Sequence, residues 1–455
     1  MLTDELQQLA QDVVAHAMKN GATAAECVIR EGNEFSTTVR CGDVEQLKEA
    51  GSKGLGLRVF LGKRAASSYT SDFSSAGIER LISSSLAAAK VTSEDPFSGL
   101  PDPVRVGSCV GDLDLFHADV TRLEPSPMID LARSAEQAAF AVDSRIKNSE
   151  GASFDAFYGR RILATSQNFL GEYQRSSCSL AVSPIAVSGT EAGGAGMQRD
   201  YWYSVSRSFA GLEAAEQVGR TAAQRALRRL GARKVSTCRV PVVFDQRAAG
   251  TLLGSVLGAV NGDAIYRGAS FLAGKLGEKV ASENVTIIDD GAMVGGLGSS
   301  PFDDEGVRSG RTVVLEKGVL KSYLLNCYTA RKLGLQTTGN ASRGMAGTPG
   351  IGPTNFYLEA GGHSPEDIIK SIKNGFYITD FIGFGVNIVT GDFSYGASGL
   401  WIENGELAYP VEEITVAGNL LAMLEGITMV GADLEFRGSI ASPTLKIDEM
   451  TVAGL

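Results

Sequence analysis

The chain opens on a helical pattern. Thr3 is placed to cap it, Asp4 and Glu5 fill the first turn, and Leu6, Leu9, Val13 and Val14 recur at helical spacing until Gly21 ends the run. From Ala25 to Tyr69 the pattern changes and predicts short β pieces, among them Phe35 to Arg40 and Leu55 to Leu61. Cys41-Gly42-Asp43 and Leu61-Gly62-Lys63 predict hairpin turns between such pieces. Ile78, Leu81, Ile82 and Leu86 then share one side of a second helix, and Pro96, Pro101 and Pro103 break the chain after it.

Beyond that break, Met128 to Val142 predicts helix, Phe154 to Val187 several strands, and Gly211 to Leu230 an alanine-rich helix. Helix, strands, helix therefore occurs twice, the pattern of a structural duplication. A boundary near Gly231 to Val235 divides the chain into an N-terminal α/β domain, residues 1-232, and a strand-rich C-terminal domain, residues 233-455. In the second domain Glu403-Asn404-Gly405 is a strong hairpin signal, because a type I′ turn needs positive φ at both central residues. Glu316-Lys317-Gly318 separates two further alternating runs, and helices are predicted from Arg247 to about Val260, after Asn326, and behind Ser364-Pro365-Glu366-Asp367. The predicted fold class is α+β, with curved antiparallel or mixed sheets and interspersed helices in the second half.

Composition narrows the function classes. A chain of 455 residues with 44% hydrophobic and 21% charged residues supports packed cores without staples. Lys and Arg number 42 against 52 Asp and Glu, and the formal net charge of -10 disfavours direct nucleic-acid binding. Arg220, Arg225, Arg228, Arg229, Arg233, Lys234 and Arg239 form a stretch without an acid, read as a solvated helix face and C-terminal end where cations suit the dipole. Six scattered cysteines fit neither a zinc knuckle nor a redox pair and suggest reduced thiols in a cytoplasmic protein. The acidic N-terminus lacks an export pattern, and the uncharged run from Ala248 to Gly262 is too short and glycine-rich to span a membrane.

Local motifs offer little chemistry. Gly268 to Gly274-Lys275 has one residue too many for a P-loop and is followed by Leu276, and no dinucleotide fingerprint follows a strand. His16, His117 and His363 are dispersed, and no local signature supports a serine or cysteine triad. Asp289-Asp290 and Asp303-Asp304-Glu305 read as solvated loop acids, with a cation or substrate-amine site as the lesser alternative.

Blocks in the second half carry more. Gly250-Thr251-Leu252-Leu253 through Asn261-Gly262-Asp263 to Arg267-Gly268, Val280-Ala281-Ser282-Glu283, Asp289-Asp290-Gly291-Ala292-Met293 and Thr338-Gly339-Asn340 occur in order. Thr390-Gly391-Asp392, Ile402-Glu403-Asn404-Gly405 and Pro443-Thr444-Leu445-Lys446-Ile447 follow them. Together they resemble the TldD/PmbA family. The resemblance implies a metalloprotease framework in which His-Glu-x-x-x-His lies on the helix beginning near Arg247, with a cysteine nearer the C-terminus completing a zinc site. Here the three motif positions read Gly254, Ser255 and Ala259, and no cysteine follows Cys327.

The chain is thus similar to the PmbA/TldE-like branch that lacks the zinc motif. That resemblance implies a non-catalytic, metal-free subunit with zinc in a TldD-like partner subunit, the two gripping an extended or unfolded peptide for proteolysis, and a homodimer as an option for the isolated chain. Gly254, Ser255, Ala259, Asp263, Arg267, Asn340 and Arg343 are the candidates for a vestigial substrate cleft. Asp263 with Arg267 also reads as an exposed i,i+4 pair. Two other readings stand beside this one: a peptidase in its own right using Ser255, Cys327 or the Asp303-Asp304-Glu305 cluster, and a protein-binding regulator in line with the family's label as modulator of DNA gyrase.

Overall fold

The computed structural model describes residues 3–188, 196–383 and 385–454; Met1 and Leu2, part of the acidic N-terminus, lie outside them. Helix α1 (Thr3–Lys19) buries Leu6, Ala10, Val13, Val14 and Ala17, the face its spacing predicts. Strand β1 (Ala24–Arg40) turns through Cys41 and Gly42, at φ of 52° and 88°, into β2 (Asp43–Leu61), which turns into β3 (Arg64–Thr70). β1 and β2 are 17 and 19 residues long, not the short pieces expected. Gly51, Gly54 and Gly56 interrupt the side-chain alternation of β2 but leave its backbone ladder with β1 intact.

After α2 (Ser75–Val91), capped by Ser74, and a short α3 (Ala118–Thr121), the order recurs. It runs α4 (Pro125–Phe140), β4 (Ile146–Thr165), β5 (Leu170–Ser188), β6 (Gly196–Arg199), β7 (Trp202–Ser206) and α5 (Ala215–Leu227). The two units meet through their first strands: β1 lies antiparallel to β4 in a sheet ordered β3-β2-β1-β4-β5, with β6 and β7 both paired to β5. Alternation assigns the faces. Cys27, Ile29, Phe35 and Val39 of β1 and Phe154, Ile162 and Ala164 of β4 pack with the helices, whereas Val28 and Leu163 pack on Phe302 of the second half.

The second half begins with β8 (Cys238–Phe244), α6 (Gln246–Val260), α7 (Gly262–Tyr266), β9 (Ile287–Asp290), β10 (Arg311–Glu316), β11 (Val319–Leu320) and α8 (Cys327–Leu333). It continues with β12 (Ala341–Ser342), β13 (Gly350–Ile351), β14 (Phe356–Leu358), α9 (Pro365–Lys370), β15 (Asn374–Ile382), β16 (Val386–Asn387) and β17 (Asp392–Glu403). β18 (Glu406–Asn419), α10 (Leu420–Glu425), β19 (Ile427–Val430), β20 (Ile440–Ala441) and β21 (Leu445–Ala453) complete it. The turn signals hold: Asn404 and Gly405 take φ of 51° and 82°, Lys317 and Gly318 take 46° and 79°. Asn326 and Ser364 cap α8 and α9 through the amides of Thr329 and Asp367.

Pairings β15-β8-β21-β18-β17 close back on β15, so this sheet curls into a ring. A second sheet runs β11-β10-β9-β14-β20 and leaves β20 at its margin. α6 buries Leu252, Leu253, Val256, Ala259 and Val260 in a core shared with Phe244, Phe376 and Phe393. No helix among the described residues is long and apolar enough to cross a membrane.

Candidate functional site: the face of α6 and the cavity between the two halves

α6 starts at Asp245, whose carboxylate accepts from the amide of Ala248 at 2.9 Å, an N-cap. Burial pushes this carboxyl above its usual range, and Arg225, with Nη2 3.5 Å away, offsets that only in part. Arg225 Nε lies 3.3 Å from Asp200, and Arg247 Nη1 lies 2.9 Å from the same carboxylate. The basic stretch is therefore not one solvated face. Arg225 is buried in an ion network whose acids come from before β7 and from the α6 cap, while Lys234 and Arg239 pair on the surface with Glu413 and Glu449.

The outward face of α6 is bare. A side chain on Gly250 would meet nothing within 4 Å, and one on Gly254 only Ile440 Cδ1 at 4.0 Å. This face borders a cavity of about 460 Å³ walled by Tyr201, Trp202, Arg247, Phe381, Arg437 and Ile440. The cations there are pinned: Arg247 lies over the Tyr201 ring at 4.0 Å, and Arg437 lies over Trp202 at 4.3 Å while binding Glu435 at 2.7 Å. β20 also lines this cavity and, among the described residues, pairs only with β14, so one of its sides carries no strand.

A second cavity, about 420 Å³, lies between the helix-free face of the N-terminal sheet and loops of the second half. Asp304 binds Arg30 at 3.3 Å and Arg161, and accepts from the amide of Arg343 at 2.6 Å. Asp303 is buried and accepts from the amides of Glu305, Val307 and Ala341 at 2.9, 2.9 and 3.0 Å. Burial, reinforced by Glu305, raises its pKa well above the carboxylate range. Asp289, also raised by burial, accepts from Asn340 Nδ2 at 2.6 Å and from Thr354. These acids are not the solvated loop groups expected; they organise backbone where the two halves meet.

The cleft candidates do not form one cleft. Gly254 alone among them lines the α6 cavity. Ser255 Oγ donates to the Thr251 carbonyl at 3.3 Å, and Ala259 is fully buried in the core, out of reach of any peptide. Asp263 and Arg267 are an exposed pair at 3.0 Å, the surface alternative. Asn340 and Arg343 are buried and line the inter-half cavity instead. Helical spacing explains the scatter: positions 254 and 259 lie on different sides of α6. Arg30, Arg161 and Tyr173, which complete the second cavity, carried no local signal, since only strand register assembles them.

The donor set on α6 does not fit a zinc ion. Glycine and alanine offer no donor, a helical serine hydroxyl is a poor one, and among the described residues no group of three or more His, Cys, Asp or Glu is placed to hold a metal.

Comparison with known proteins decides the family. Models described as PmbA/TldA metallopeptidase domain 1, central domain and C-terminal domain match residues 25–89, 119–230 and 237–454. The Escherichia coli O157:H7 protein named metalloprotease PmbA is 36% identical over 451 residues, spanning 98% of this chain and 97% of its own. The chain belongs to the PmbA/TldD metallopeptidase family. A Haemophilus influenzae metalloprotease PmbA homolog is also 36% identical, over 99% of this chain and 96% of its own. Among solved structures, a candidate modulator of DNA gyrase from Bacteroides thetaiotaomicron superposes with a TM-score of 0.92 at 30% identity, covering 100% of both chains. TldE from Thermococcus kodakarensis, at 20% identity and covering 98% of this chain and 100% of its own, shares the fold with a TM-score of 0.86.

Proposed function

We propose that this family member is the metal-free subunit of a two-component protease, binding extended peptide and pairing with a zinc-bearing, TldD-like relative that performs the hydrolysis. The observation that carries the proposal is the bare outward face of α6, Gly250 and Gly254, lining one cavity together with the margin of β20. A peptide lying in that cavity adds a strand to β20, its backbone satisfying the unpaired side of the sheet, while the glycines admit its close approach. Backbone pairing demands little sequence, which suits unfolded substrates. The chain supplies grip and shape; the relative supplies metal, activated water and proton transfer.

The stand-alone peptidase reading gains nothing from the geometry. Ser255 is bonded within its own helix, and Cys327 is buried, with burial followed by Glu305 pushing its thiol up, away from a reactive thiolate. The test is a native mass measurement with metal analysis of the chain, alone and mixed with the zinc-bearing relative. A mixed complex holding zinc, with chelator-sensitive peptidase activity that neither chain shows alone, is the expected outcome. Zinc bound stoichiometrically by the pure chain, or peptidase activity of the pure chain that survives chelator, refutes it.

A further inference from the structure

Strand register gathers cations on the helix-free face of the N-terminal sheet. β1 and β4 set Arg30 opposite Arg161, and β4 and β5 set Arg161 opposite Tyr173. Alternation turns Arg175, two residues beyond Tyr173, to the same face. Loops of the second half that carry Ser300, Asp304 and Ser342 close over these side chains and leave the cavity of about 420 Å³. It is a pocket and not a trench: the Phe157 ring fills the sheet surface beside it, 2.9 Å and 3.0 Å from where a Cβ on Gly32 or Gly159 would stand. An occupant of this pocket is therefore compact.

Positive charge is in excess there. Arg160 and Glu31 match each other at 2.8 Å, and Arg343 is matched by Glu26. Arg30 and Arg161 share Asp304, while Arg175 is exposed, lies over the Phe157 ring at 5.4 Å and forms no ion pair among the described residues. Asp303 also lines the pocket, but burial and then Glu305 raise its carboxyl, so it offsets little. The guanidinium groups of Arg30, Arg161 and Arg175 thus face the one carboxylate of Asp304. Burial and then Arg161 hold Arg30 below the usual guanidinium value, and burial followed by Arg175 pushes nearby Arg207 down to about 10. The donors are not all used either. Arg161 is buried, its side chain 10% exposed, and its Nε and Nη2 have no hydrogen-bond partner among the described residues; Arg30 Nε has none. One cation would hold Asp304 in place, and the further ones add repulsion and unmet donors.

We infer that this pocket binds a phosphate dianion, free or as the head of a phosphomonoester, with Arg161 and Arg30 as the buried donors and Arg175 at the mouth. Guanidinium edges match pairs of phosphate oxygens, and a dianion offsets the excess of cations where a lone carboxylate offsets only part of it. The pocket has room for the head group and a small organic remainder. A bound dianion also relieves the repulsion between guanidinium groups where the second-half loops meet the sheet.

The full chain, in a phosphate-free buffer of constant ionic strength, is titrated by calorimetry with inorganic phosphate, with O-phosphoserine and with malonate, a dicarboxylate of similar charge. Phosphate is expected to bind at least ~10-fold more tightly than malonate, and more tightly as pH rises through about 6, where phosphoryl groups lose their second proton. Arg175→Gln is expected to lose roughly tenfold in phosphate affinity with an unchanged melting temperature in chloride, and Arg161→Lys, which keeps the charge and loses the fork, a similar amount. Tighter binding of O-phosphoserine identifies a monoester as the source, and tighter binding of inorganic phosphate identifies the free ion; either supports the inference. A Kd weaker than ~10 mM for both phosphates, malonate bound as tightly as phosphate, or wild-type phosphate affinity in Arg175→Gln overturns it. Neither peptide nor zinc-bearing relative is in this assay, so its failure leaves the subunit proposal standing, and the reverse holds.

Discussion

Glu26 is fully buried on β1, and its Oε1 lies 2.7 Å from Arg343 Nη1 of the second half and 3.3 Å from Arg58 Nη1, its cross-strand neighbour on β2. Replacing Glu26 with Gln keeps the shape and leaves two guanidinium groups, both nearly excluded from water, without their shared counter-charge. At an effective dielectric constant near 20 the closer pair alone has a gross attraction of about 6 kcal/mol. Desolvation offsets much of that in the wild type, but removing one partner strands the other charges, and the expected net cost is about 3–5 kcal/mol. At roughly 2–4 °C per kcal/mol the melting temperature should fall by roughly 6–20 °C, read by differential scanning calorimetry or circular dichroism. A triple variant with methionine at Glu26, Arg58 and Arg343 should recover most of the loss, because no charge is left unpaired. A midpoint for Glu26→Gln within ~2 °C of wild type, or a triple variant no better than the single one, refutes the claim that this network joins the halves.

Further outcomes follow from other sites. Burial raises Asp200, but Arg225 and Arg247 outweigh it and hold its pKa below the ordinary aspartate value, so its stabilisation is complete above that value and lost as pH falls through the lower folded one. The melting-temperature advantage of wild type over Asp200→Asn should therefore be full at neutral pH and shrink at strongly acid pH; an advantage that grows on acidification contradicts the pairing. Gly219→Ala should destabilise by about 1–3 kcal/mol in urea unfolding even though alanine favours helix, because its Cβ would sit 2.1 Å from the Ala135 carbonyl where α4 crosses α5. At pH 8 a thiol reagent should label exposed Cys41 first and spare buried Cys27, Cys178 and Cys327 until denaturant is added, Cys178 being pushed up to about 12 by burial and Asp119. Rapid labelling of all six cysteines would contradict this burial.

Much of this molecule was legible in its sequence. The first helix, the Asn404-Gly405 turn, the caps at Asn326 and Ser364, and the repeated helix–strands–helix order all depend on residues within a turn or two of each other, where spacing and backbone preference act directly. That Gly254, Ser255 and Ala259, the positions the family resemblance points to, carry no imidazole or carboxylate is likewise read directly from three letters of the chain. What local reading lost was the partner of each charge. Arg225 sits in a run of cations that looks like a solvated face, and its acids, Asp200 and Asp245, come from segments that precede and follow α5 in the chain.

The grouping of site residues was decided only by tertiary structure. Asn340 and Arg343 were cleft candidates together with Gly254, yet they flank β12, which places them against the N-terminal sheet and away from α6. In the N-terminal sheet, antiparallel register aligns Ser52, Gly32, Gly159 and Arg175 across four strands, and a shift of one residue in any strand would turn its member to the helix side. Sequence fixes periodicity, turns and the absence of a donor, since these need only neighbouring residues. Register and the docking of one half on the other follow from burying many side chains at once, and they settle which charges meet.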